Sequence, residues 1–152
     1  MITSMDQATG APTRVTAMIT SPLEAEHATA IAAAFPDRVE LIYRPDLMPP
    51  MRYGADHQGD PAWSRTPAQQ REWHALLALA EVLWDFAANE DRGPLALSSN
   101  LRWVQTTSAG VGQYVKSLGL QGSDIMVTTA SGIHARPLTD REKRRARRKR
   151  RR

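Results

Sequence analysis

The residues of this chain most suggestive of chemistry carry no ionisable side chain. Thr107-Ser108-Ala109-Gly110-Val111-Gly112 follows an apolar run, Trp103 to Gln105, and opens a short amphipathic segment. Two glycines one residue apart at a strand-to-helix turn admit three readings. A dinucleotide loop requires G-x-G-x-x-G, but the third position here is Val115, and the turn follows a fourth strand rather than a first. A tight turn requires positive φ, which accounts for one glycine more easily than for two. An anion nest requires successive backbone N–H groups, Ala109 to Gly112, beside a helix start, and takes a carboxylate without any charged side chain.

Other candidate constellations are weaker. His27, His57, His74 and His134 share no metal-ligand spacing, and Asp56-His57-Gln58-Gly59-Asp60 offers two carboxylates and one imidazole with no third histidine nearby. That segment reads as a solvated loop rather than a metal centre. Asp85 ends an apolar run, as the phosphoacceptor of a receiver domain would. The first strand, however, runs into Thr20-Ser21-Pro22-Leu23-Glu24 without the acidic pair such a domain needs. No Ser-His-Asp order or nucleophile elbow is visible. Trp84 and Trp103 fall within strand runs and are expected in the core.

The elements that must position these residues follow from periodicity. Residues 14–20, 38–43, 81–86, 101–106 and 124–130 read as strands, each a near-continuous apolar run. Between the first two, Ser21 as cap, Pro22 at the first helical position and Glu24 as capping-box partner predict a helix start. Its buried stripe is Ala28, Ile31, Ala32 and Phe35. The next helix repeats the signal with Thr66, Pro67 and Gln69, and buries Trp73, Leu76, Leu77 and Ala80. A short helix presents Val111, Tyr114, Val115 and Leu118 and closes at Gly119. Residues 44–65 hold Pro45, Pro49, Pro50 and Pro61 with no periodicity, and a loop of that length is usually functional or mobile. Alternation of strand and helix predicts an α/β domain of flavodoxin-like type, with a doubly wound parallel five-stranded sheet. Its ligands lie beyond the carboxyl ends of the strands, where the Gly110 turn falls.

Composition bounds the rest. The chain has 152 residues, enough for one domain with a core, and no cysteine, so neither disulfides nor thiolate chemistry arise. No secretory segment or membrane span is evident, and a cytoplasmic location is expected. The net charge of +4 is unevenly held: residues 141–152 carry ten Lys/Arg and one acid, leaving residues 1–140 at −5. The tail, residues 139–152, is expected to be disordered or a charged helix. Residues 1–13 read as a flexible lead-in. Ten cations without aromatic interleaving suit non-specific nucleic-acid contact. An abrupt shift of this kind is also what a frameshift in a GC-rich coding sequence produces.

Two stretches, "NLRWVQTTSAGVGQYV" and "DIMVTTASGIHARPL", together with "ITSPLEAEH" and "TPAQQREWHALLALAEVLWDF", closely resemble the D-isomer-specific 2-hydroxyacid dehydrogenases. The resemblance spans residues 14–138 and concerns the N-terminal part of that family's substrate-binding, or catalytic, domain. It implies NAD(P)-dependent oxidoreduction between a small 2-hydroxy acid and its 2-keto acid. It also implies that the N–H groups of Ala109, Gly110 and Val111 receive the substrate carboxylate, and that residues 130–135 lead into a hinge toward a nucleotide domain. After Leu138 the pattern departs into the arginine tract. The family's nucleotide fold and its catalytic arginine, glutamate and histidine lie further on. The resemblance therefore implies a truncated or frameshifted relative, inactive alone, with no catalytic residue, no NAD(P) site and no metal site of its own, and without the family's dimer. The alternative is a flavodoxin-like binding module whose basic tail engages nucleic acid.

Overall fold

A computed structural model describes residues 14–87 and 98–131. In chain order come β1 (Val15–Ile19), α1 (Ala25–Ala34), β2 (Val39–Ile42), a 3-10 turn (Pro45–Leu47), α2 (Pro67–Leu79), β3 (Val82–Trp84), β4 (Trp103–Gln105), α3 (Gly112–Ser117) and β5 (Met126–Thr128). All five strands are parallel, in the order β2-β1-β3-β4-β5. This is the flavodoxin-like arrangement expected from the sequence. The lead-in 1–13, most of the β3–β4 connection, most of the 130–135 hinge segment and the basic tail lie outside the described residues.

Strand order fixes where the helices go. Because β1 sits between β2 and β3, the β1–β2 and β2–β3 crossovers run in opposite directions. Right-handed connections then place α1 and α2 on opposite faces. On one face Met18, Leu83 and Val104 are neighbours across β1, β3 and β4, and each is at most 1% exposed. Trp73 and Leu77 of α2, both buried, belong to the same core. Each large side chain fully buried there stabilises by about 1.5–3 kcal/mol.

The start of α2 is read correctly from local chemistry. Thr66 Oγ1 accepts from the Gln69 N–H at 3.3 Å, Gln69 Oε1 accepts from the Thr66 N–H at 3.0 Å, and Pro67 follows the cap. The start of α1 departs from expectation. That helix begins at Ala25 with Glu24 at the cap and no side-chain capping bond. The Ser21 hydroxyl instead donates to Asp85 Oδ2 at 2.7 Å, which holds Ser21 to Leu23 in the turn above the sheet. The expected α1 stripe is also only half covered. Ala28 is buried and Ile31 half-buried, whereas Ala32 is exposed and Phe35 is 64% exposed.

The reason lies in the second sheet face. Ala17, Val82, Trp103 and Met126 are register partners across β1, β3, β4 and β5. Their side is open as an apolar trench of about 600 Å³ rimmed by Ile31 and Phe35. Trp103, expected in the core, is 38% exposed on that side, its indole N–H donating to Thr128 Oγ1 at 2.7 Å. Trp84 is half-buried, and its buried indole N–H has no acceptor among the described residues. Among those residues no helix is long and apolar enough to cross a membrane.

Candidate functional site

Parallel strands bring all carboxyl ends to one edge, and a cleft of about 810 Å³ opens there. One wall is the turn after β4, with Gly110 and Val111; the floor is the end of β3, with Asp85; the opposite wall is the long loop, with Tyr53, Ala55 and His57. Ala109 stands on the far side of its turn, in a shallower depression between α3 and β5 that Gly110 and Val111 also border. The three residues singled out by the sequence are thus one turn with two faces.

The N–H groups of Ala109, Gly110 and Val111 donate no hydrogen bond among the described residues. Ala109 and Gly110 are exposed and Val111 is half-buried. Polar backbone left unpaired in this way is satisfied by water or by a ligand. The glycine at 110 is not there for its backbone. Neither Gly110 nor Gly112 has positive φ, and a Cβ on either would meet no heavy atom within 4 Å. A side chain at 110 would instead project into space that is now open.

The floor is built by Asp85. Its Oδ1 accepts from the Thr107 N–H at 2.6 Å and its Oδ2 from the Thr107 hydroxyl at 2.8 Å, while Ser21 completes the set. The Thr20 hydroxyl reaches the Trp84 and Asp85 carbonyls at 2.8 and 2.7 Å. The ends of β1, β3 and β4 are therefore sewn together at the switch point of the sheet. Asp85 itself sits at φ +67°, and Ala55 at +59° is the other described non-glycine residue with positive φ. Both line the cleft. For an L-residue this conformation costs about 1 kcal/mol, and it concentrates where structure is held for function.

The loop wall is tied together by hydrogen bonds centred on one carboxylate. Asp56, expected to be solvated, is 2% exposed and acts as a hub. Its carboxylate accepts from Arg52 Nε at 2.7 Å and Nη2 at 3.0 Å, and from the N–H groups of Arg52, Gln58 and Gly59. The Arg52 guanidinium, with these amides, holds the Asp56 carboxyl well below the usual carboxylate range. Glu24 Oε1 accepts from the Ala55 N–H at 2.8 Å, which pins the loop to the start of α1 and lowers the Glu24 pKa. Arg65 lies 4.0 Å over the Trp73 ring and donates to the Leu47 carbonyl at 2.7 Å. Arg44 pairs with Asp46 at 2.7 Å and also with Glu72. Among the described residues no group of three or more His, Asp or Glu gathers to hold a metal.

The sequence points to the turn but not to the residues that hold it. In the sequence Ser21 reads as a helix cap and Asp85 only as a phosphoacceptor, whereas the two share a hydrogen bond. The available signal was a lone carboxylate ending an apolar strand, at the edge where ligands bind. Tyr114 closes the cleft beside them, its ring 4.8 Å from that of Phe86 and its hydroxyl donating to the Ala87 carbonyl at 2.9 Å. Compared with protein-family models, with curated proteins and with solved structures, the chain gives no significant match.

Proposed function

We propose that the cleft binds a small 2-hydroxy or 2-keto acid by its carboxylate, as the substrate-binding portion of an NAD(P)-dependent 2-hydroxyacid oxidoreductase. The observation that carries this reading is the turn Ala109–Val111, whose N–H groups have no acceptor among the described residues and of which Gly110 and Val111 line the cleft. Gly110 supports it, since no backbone or packing demand accounts for the missing side chain. Backbone donors fix the carboxylate without adding a titratable charge.

A dinucleotide does not fit the residues at hand. The β1–α1 turn, Thr20-Ser21-Pro22-Leu23, contains no glycine to admit a pyrophosphate. The Asp85 carboxylate, bonded to Ser21, stands at the β1/β3 switch point. A nicotinamide would have to come from another domain, and no hydride step is assigned to this one.

Equilibrium dialysis with labelled pyruvate, in salt high enough to screen the tail, tests the proposal. Saturable binding by the native chain that is lost in Gly110→Val is expected. Binding unaffected by that substitution would contradict it.

A further inference from the structure

We propose that Asp85 is the positioning residue of this cleft, holding the 107–111 turn so that its later N–H groups stay free for an anion. The inference rests on reading that turn as a carboxylate site, and concerns how the site is kept rather than what it takes.

A carboxylate at the floor of an anion cleft is at first sight misplaced, since like charge repels. Its bonds resolve the contradiction. Asp85 Oδ1 accepts from the Thr107 N–H at 2.6 Å and from its hydroxyl at 3.0 Å; Oδ2 accepts from that hydroxyl at 2.8 Å and from Ser21 at 2.7 Å. Both oxygens are thus directed at the protein. Just beyond, the Thr106 hydroxyl donates to the Ser108 carbonyl at 2.8 Å, and the Ala130 N–H approaches the same carbonyl at 3.4 Å. The turn is anchored up to Ser108, and after it three consecutive N–H groups are left without partners.

The backbone of Asp85 points the same way. Its own N–H donates to the Gln105 carbonyl at 2.7 Å, and its φ is +67°. Glycine adopts that conformation without strain, so on backbone grounds glycine is the better residue. What aspartate adds is the tether. Asp85 acts through Thr107 and needs no contact with the ligand.

The experiment uses the full chain, ¹⁵N-labelled, with Asp85→Gly, Asp85→Asn and Thr107→Val. Backbone order of residues 109–111 is read by relaxation without ligand, and pyruvate binding by titration. In Asp85→Gly the order parameters of the turn should fall from about 0.85 toward 0.6 or below. Pyruvate binding should weaken by roughly tenfold, as when a ligand-orienting partner is removed. Asp85→Asn, whose amide oxygen still accepts from the Thr107 N–H and whose NH₂ can donate to Ser21, should restore both. Thr107→Val, which loses only the hydroxyl, should loosen the turn partly and decides the matter if Asp85→Gly fails to fold. An Asp85→Gly turn as ordered as the native one overturns the proposal, as does a loosened turn that still binds pyruvate as well. If the native chain takes no pyruvate, the carboxylate reading fails, and the relaxation data alone decide the role of Asp85.

Discussion

A Cβ placed on Gly59 would stand 2.7 Å from both the Cβ and the carbonyl oxygen of Pro49. Gly59 also has φ +68°, so conformation and space both demand glycine there. Gly110, which lines the cleft as Gly59 does not, is the reverse case, with neither demand. Gly59→Ala should therefore destabilise the chain by about 2 kcal/mol or more. Gly110→Ala should leave stability unchanged or slightly raised, through lower entropy of the unfolded chain. Urea denaturation of the two variants checks the pair; equal losses would remove the case for a functional Gly110.

The acid limb of stability should be set partly by the loop wall. Arg52 and neighbouring amides lower the Asp56 pKa, Arg44 lowers that of Asp46, and the Ala55 N–H lowers that of Glu24. A carboxyl with a depressed folded pKa binds fewer protons when folded than when unfolded. Its contribution is complete above the unfolded value, about 3.9 for Asp, and is lost as pH falls through the folded value. Stability should thus hold above about pH 5 and decline progressively below pH 4. Asp56→Asn should be less stable at neutral pH and show a shallower acid decline. An identical pH slope in that variant would show that Asp56 is not a hub in solution.

The open sheet face predicts unequal penalties along apolar stripes. Leu77→Ala removes a side chain 1% exposed and should cost about 2–5 kcal/mol. Phe35→Ser alters a side chain 64% exposed at the trench rim and should stay within about 0.5 kcal/mol. Chemical denaturation measures both; a large loss at Phe35 would mean that the trench is covered in solution.

These contrasts also show how far the sequence could be read. α2 was legible because its start is local, with Thr66, Pro67 and Gln69 completing one motif within four residues. α1 carries a similar signal, but its Ser21 hydroxyl is captured by a carboxylate 64 residues away, which no window of sequence reveals. The parallel sheet follows from alternating elements, whereas which face stays open depends on what lies against it, so a strand run alone puts Trp103 in the core although it is 38% exposed. Polar neighbours make Asp56 read as solvated, yet it is 2% exposed and paired with Arg52. The Gly110 turn was found from its position after β4, but positive φ, offered as one reason for its glycines, does not apply.

On the proposed reading, backbone N–H groups of the Ala109–Val111 turn receive a carboxylate. The most direct test is an ¹⁵N–¹H correlation spectrum of the native chain titrated with pyruvate, with chloride at equal ionic strength as control. Saturable downfield shifts of the Ala109, Gly110 and Val111 amides are expected, absent in Gly110→Val although that variant keeps the native melting temperature. Amides of 109–111 that stay fixed throughout, or shifts confined to the arginine-rich tail, would contradict it.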